Sequence, residues 1–351
     1  MTKDASFKKV VRRHAEETGQ RYTEALLDLE GVGARMHHEP VAEQLLSHLR
    51  DRYRIDARAA TKLSVHNTYV FRIDRSDGEP WIARAFPPAR PKVGVEGDAA
   101  ILRYLEQHGY PAERLAVDDA VSDLEGSAVL VTKFINGEPL PDGSEKMAMM
   151  ADLLGRLHSL PFDESINRPG GASGEDPRRE GSPRQDLLAA LSFLDAVDVK
   201  VAPADRARFE QLRDQVRSAD DADGLPQGLL HGNLPHAPDH ALLTDEGPVA
   251  FNWKASGIGP RIAELAWLIC CTWGDAQSIE AAVNAYRHHI DVTEQELDRF
   301  EAVLYIRPLY LTAFGYRRAL ANGQPFDEWD FIEPREYFSA TAAATRAAFH
   351  R

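Results

Sequence analysis

The chain is nearly free of cysteine. Of its 351 residues two are Cys, and they are neighbours, Cys270 and Cys271. Adjacent thiols in a helix do not bridge readily and two make no disulfide framework, so a buried core has to hold the fold. Long apolar runs are also missing. The richest stretch, AELAWLICCTW at 263–273, carries Glu264 and is too short to span a bilayer, so no membrane partner is expected. The basic start, MTKDASFKKVVRRH, lacks the apolar segment of a secretory signal, and the expected location is the cytoplasm. Positive charge is in deficit: 41 Lys and Arg stand against 55 Asp and Glu, a formal net charge of −14. A nucleic-acid partner is therefore not expected, because phosphate contacts need Lys and Arg. What remains is ordinary globular composition, 43% hydrophobic and 27% charged, which excludes a disordered chain or a fibre. The length suits one large domain or two smaller ones.

Periodicity divides the chain. Residues 5–30 and 40–53 read as helices, the second with Val41, Leu45, Leu46, Leu49 and Tyr53 at helical spacing. NTYVFRID at 67–74 and PWIARAF at 80–86 are β-rich runs joined by SDGE, a hairpin signal. A helix over 96–108 stops at Gly109 and Pro111, and SAVLVTKF at 127–134 is a further strand. From about residue 140 the pattern is helical: 146–160, then 186–197 and 204–218 after the nearly apolar-free loop 167–186. HALLT at 240–244 and PVAFNW at 248–253 form a short hairpin, and the remainder from 261 is helical. The Cys270–Cys271 pair lies in an apolar helix and reads as core packing. A β-rich part, an exit turn and a helical part with one late hairpin suggest two lobes and a cleft for a ligand.

The stretch LLHGNLPHAPDHALLTDEGPVAFNWKASGIGPRIAELAWL at 229–268 carries more. It resembles the phosphotransferase signature of the aminoglycoside phosphotransferase and choline kinase group, a branch of the protein-kinase-like enzymes. His231, Gly232, Trp253, Gly257, Gly259, Pro260, Glu264, Leu265 and Ala266 fall on that pattern. LSVHNTYVFRI resembles the hairpin that covers the nucleotide, IAR at 82–84 the strand with a phosphate-binding cation, and GDAAILRYLEQHGYPAERL the helix whose acid pairs with it. LVTKFINGEPL resembles the hinge between lobes and LLGRLHSLP the helix after it. Each motif is weak alone; their collinear order over roughly 60–320 is the signal.

The resemblance implies an α+β, bilobal protein-kinase-like fold: a helical extension over 1–55, an N-lobe over 56–134 and a helical C-lobe over 135–351. It implies ATP or GTP with Mg²⁺ as cofactor. Arg84 would hold the phosphates, with Asp98 or Glu96 orienting it, and Thr132, Lys133 and Phe134 would read the base. His231, Asn233 and Asp239 would form the catalytic turn, and Asn252 and His240 the metal position. Asp327, Glu328, Trp329 and Asp330 would grip an acceptor, with the aromatic ring as a stacking face. Simpler readings stand beside these. Arg84 could be an edge-strand charge, Glu96 and Asp98 helix N-terminal charges, and the 327–330 acids a charged surface.

The departures from the pattern fall on its chemistry. Asn233 stands where the group carries its catalytic Asp, and Asn252 where it carries the Asp of I-D-W. An amide cannot take a proton and offers a metal only a neutral oxygen. Apart from substitution to trap a complex, for which one change would suffice, two readings follow. One is a phosphotransferase-like protein with a degenerate site, a pseudokinase that acts by binding or scaffolding. The other is an active ATP- or GTP-dependent phosphotransferase with a rearranged loop, in which Asp239, His240 or His236 supplies the base or metal ligand. The partner would be a small-molecule or peptide acceptor, or a protein.

Overall fold

A computed structural model describes residues 42–65, 68–88, 90–161, 163, 166–168, 183–235, 240–322 and 335–351. The expected helix over 5–30 and the candidate residues His236, Asp239, Asp327, Glu328, Trp329 and Asp330 lie outside these described residues. The chain divides into two compact units, Met1–Lys92 with Asp119–Thr132, and Val93–Asp118 with Lys133–Arg351.

In the first unit, helix α1 (Ala42–Tyr53) buries Leu45, Leu46 and Leu49, the apolar stripe read from the sequence. Five strands follow: β1 (Ala57–Val65), β2 (Tyr69–Arg75), β3 (Trp81–Ala85), β4 (Val121–Leu124) and β5 (Ser127–Lys133). They form one sheet in the order β1-β2-β3-β5-β4. The expected hairpin is the β2–β3 pair, with Tyr69 opposite Ala85 and Ile73 opposite Trp81. LSVHNTYVFRI spans the β1–β2 pair, with Val65 opposite Tyr69; the start of β1 at Ala57 and strand β4 show no clear alternation in the sequence. Strand β1 is an edge strand with two register shifts, which breaks a period-two pattern. β3 lies between β2 and β5, and all five of its residues are buried. This corrects the edge-strand reading of Arg84, which is 7% exposed.

The second unit opens with helix α2 (Lys92–Gln107), which buries Val95, Ala99, Ile101, Leu102 and Leu105. It starts at Lys92 instead of residue 96, so Asp98 is inside the helix, not in its first turn, and is 1% exposed. A helix-dipole role for Asp98 is thereby overturned, because that effect fades beyond the terminal turn. Strand β6 (Glu138–Pro139) precedes α3 (Ser144–His158), α4 (Pro183–Val197) and α5 (Arg206–Ser218). The start of α4 at Pro183 shortens the expected loop over 167–186. Next come β7 (Gln227–Leu230), β8 (Ala241–Thr244), β9 (Gly247–Ala250) and β10 (Gly257–Pro260). β8 and β9 form the expected late hairpin and take β6 as a third strand, while β7 pairs antiparallel with β10.

Helices α6 (Arg261–Cys270), α7 (Ala276–Tyr286), α8 (Glu294–Leu304), α9 (Ile306–Asn322) and α10 (Arg335–Phe349) complete the chain. Cys270 is in the core as expected; Cys271 is only half-buried. The architecture is the α+β, protein-kinase-like arrangement that the motifs implied. Among the described residues, no helix is long and apolar enough to cross a membrane.

Candidate functional site

The β7–β10 pair sets the site. β7 ends at Leu230, and His231, Gly232 and Asn233 turn out of it. Gly232 has φ +84°, and a Cβ there would lie 2.3 Å from the Ala255 carbonyl oxygen, so only glycine fits the turn. Glu264, from the first turn of α6, accepts the His231 amide N–H at 2.9 Å and that of Gly232 at 2.7 Å. The same carboxylate meets His158 Nε2, at the end of α3, at 3.2 Å, and the Tyr286 hydroxyl bonds His158 Nδ1 at 2.8 Å. Burial would raise the Glu264 carboxyl, but the hydrogen bond and charge of His158, with His231 adding to them, outweigh it and hold it below the usual carboxylate range. The turn thus rests on a buried, ionised carboxylate.

The rings in the turn are fixed by their partners. His231 Nε2 donates to the Phe251 carbonyl at 2.9 Å, Nδ1 accepts the Asn233 amide N–H at 3.3 Å, and the ring packs on Trp253 at 4.5 Å between centroids. His240 Nδ1 donates to the Asn233 carbonyl at 2.8 Å. Its Nε2 accepts from Asn252 Nδ2 at 3.0 Å. These partners assign His231 as the Nε2–H tautomer and His240 as the Nδ1–H tautomer. Asn252 sits at φ +69°, a left-handed conformation that Asn tolerates, and its amide N–H is accepted by buried Glu113 at 2.7 Å. Arg307, near the start of α9, donates to a side-chain atom of Asn233. A guanidinium has no acceptor, so the atom facing it is the amide oxygen.

Of the residues singled out from the sequence, the structure therefore brings His231, Asn233, His240 and Asn252 into one hydrogen-bonded cluster. Asp98 is bonded within the second unit to Arg168 at 2.7 Å. Arg168 also donates to the carbonyls of Ser256, Gly94 and Trp253. In the first unit Arg84 donates to Thr132 Oγ1 at 3.1 Å, inside the sheet. Thr132 closes that unit and Lys133 opens the run into the second, its amide N–H accepted by the Arg114 carbonyl at 2.8 Å. Phe134 follows, half-buried.

The described donors suit Mg²⁺ poorly. Asn252 and Asn233 offer neutral amide oxygens, and the acceptor nitrogen of His240 is occupied by Asn252. Mg²⁺ selects hard, charged oxygen ligands in octahedral array. Among the described residues, no group of three or more His, Cys, Asp or Glu is placed to hold a metal ion.

Residues 59–301 match the sequence profile of APH, the phosphotransferase enzyme family. The chain belongs to this family. No curated protein matches it closely enough to count as a relative. Solved structures share its fold. A spectinomycin phosphotransferase, determined with ADP and spectinomycin, aligns with TM-score 0.59 and 14% identity over 88% of this chain and 99% of its own. A choline/ethanolamine kinase family protein from Mesorhizobium loti gives 0.58 and 20% over 87% and 99%. An amicoumacin kinase in complex with AMP-PNP, Ca²⁺ and its ligand gives 0.57 and 14% over 86% and 98%.

Sequence reasoning did not find Arg307, Glu113, His158 or Arg168. Arg307 lies 74 residues from Asn233 and Glu113 lies 139 from Asn252, and no local pattern links such pairs. His158 stood in the LLGRLHSLP motif, where a histidine ending an apolar helix was the available signal.

Proposed function

We propose that this family member has a degenerate phosphotransferase site and works by binding its ligands, transferring phosphate weakly or not at all. The observation that carries this reading is the Arg307–Asn233 hydrogen bond. The residue expected to accept the acceptor's proton is an amide, and its oxygen is engaged by a guanidinium. An enzyme of this class works by positioning and charge neutralisation around a loose transition state. Losing the base and a metal-binding charge removes several kcal/mol of that stabilisation, and each ~1.4 kcal/mol is tenfold in rate.

The ligand side of the reading follows the resemblance. Arg84 would hold nucleotide phosphates, and backbone groups at Thr132, Lys133 and Phe134 would read a base. That other members of the fold were solved with ADP or AMP-PNP supports a nucleotide ligand. Asn233 would face a small-molecule or peptide acceptor, or a protein partner.

The test is a thermal-shift titration with ATP and GTP, with and without Mg²⁺, joined to a nucleotide-hydrolysis assay on the wild type and on the N233D/N252D double variant. Binding to the folded state alone raises the melting temperature with occupancy. The expected result is a shift with little dependence on Mg²⁺, negligible hydrolysis in the wild type, and gains in Mg²⁺ dependence and hydrolysis in the variant. Rapid Mg²⁺-dependent hydrolysis or transfer by the wild type would overturn the reading in favour of a rearranged active site.

A further inference from the structure

Several partly buried arginines of the second unit meet a carboxylate. Arg168 meets Asp98 at 2.7 Å, Arg261 meets Glu296 at 2.9 Å and Arg213 meets Asp198 at 3.3 Å. Arg307 does not. Among the described residues its one hydrogen bond goes to the neutral Asn233 oxygen, it forms no ion pair, and its buried Nε has no partner. It is nevertheless held in place. The guanidinium lies 5.7 Å from the Trp267 ring centroid and 5.5 Å from that of Tyr310. Trp267 is in turn tied to the catalytic turn by its Nε1–H, which donates to the Pro235 carbonyl at 2.8 Å. Two aromatic faces and one amide oxygen thus position a cation that, among the described residues, spends one of its five donors.

An ion half-removed from water without a counter-charge is costly, and the cost is relieved when an anion arrives. Among the described residues no carboxylate meets it, in a chain with a formal charge of −14. Arg307 is also only partly buried, so a ligand can reach it. A planar guanidinium fixed over aromatic rings is the side chain best shaped to take a carboxylate or phosphate group through paired N–H bonds.

We infer that Arg307, backed by Trp267 and Tyr310 and set against Asn233, is the seat of an anionic group, a carboxylate or a phosphate, on the ligand that this site binds. The inference rests on the reading above that Asn233 marks the ligand side of the site. It gives the ligand a sign opposite to the cation that the acids at 327–330 would suit.

The test uses the full chain without nucleotide or Mg²⁺, so that transfer activity, the point on which the preceding reading fails, does not enter. Inorganic phosphate, citrate and benzoate are titrated by calorimetry and thermal shift at fixed ionic strength, with choline and glycerol as cationic and neutral controls. Anions are expected to bind and stabilise while the controls do not, and the phosphate and carboxylate arms show which group is preferred. R307Q should weaken anion binding about tenfold or more and R307K by less, since a point charge keeps attraction but loses the fork. N233D should weaken it too, because the new carboxylate takes the guanidinium, and this variant serves if R307Q fails to fold. The inference is overturned if no anion stabilises the wild type, if choline binds better than the anions, or if N233D or folded R307Q binds anions as tightly as the wild type.

Discussion

His158 and Glu264, 106 residues apart in the chain, meet at 3.2 Å beneath the turn at His231 and Gly232. Through this contact the end of α3 and the start of α6 jointly hold the segment on which the family's chemistry is built. The contact fixes the backbone shape of the turn, because Glu264 also accepts the amide N–H groups of His231 and Gly232.

Replacing Glu264 tests that support. In E264Q one of two acceptor oxygens becomes an amino group facing a backbone N–H donor. A buried donor left unsatisfied in this way costs about 1–3 kcal/mol, to be read from urea denaturation. The pH dependence has a definite sign. Because the folded carboxyl is held below its unfolded value of 4.5, its stabilisation is present above that pH and is lost as pH falls through the folded value. A melting-temperature profile from pH 7 to pH 3 should drop on the acid side in the wild type, with a shallower drop in E264Q.

Two tyrosines act at the other end of the scale. Burial drives the Tyr110 and Tyr286 hydroxyls far above the ordinary value of 10.0. Their contribution is complete below that pH and is lost as pH rises above it. Spectrophotometric titration should show these two of the ten tyrosines ionising only together with alkaline unfolding. Y286F, which removes the bond to His158, should cost about 0.5–1.5 kcal/mol.

Arg261 and Glu296 form a separate lock. Glu296 has no solvent exposure, pairs with Arg261 at 2.9 Å and also completes the capping box at Thr293. R261M leaves this buried carboxylate without its cation and should cost about 3–5 kcal/mol. The R261M/E296Q double variant should lose less than the sum of its single changes in the same denaturation assay.

At Gly232 the outcome is steric. G232A would place a methyl group against the Ala255 carbonyl at a backbone angle that L-residues rarely adopt. The strain of that angle alone is about 1–3 kcal/mol. Circular dichroism melting of G232A should show a loss at least that large.

How much of this could be read from sequence follows from the range of each interaction. The β2–β3 hairpin, the stripe of α1 and the HGN and FNW motifs are local patterns, and they were found. β7 and β10 are four residues each, too short to show a period, so the pair that orients the turn was missed. The sequence places the start of α2 at residue 96 and not at Lys92 because Lys92, Val93 and Gly94 carry no clear start signal, which is why Asp98 can also be read as a charge at a helix end. Arg307, Glu113 and Arg168 reach the site only through the fold, and the cation beside Asn233 is visible only once Arg307 is placed there.

Each of four hydrogen bonds at His231 and His240 points one way: Asn233 N–H to His231, His231 to the Phe251 carbonyl, Asn252 to His240, and His240 to the Asn233 carbonyl. Both histidines discharge onto peptide oxygens, and the links between them are amides, which do not relay protons. Along these four bonds the cluster carries no proton, although its members lie within hydrogen-bond distance of one another.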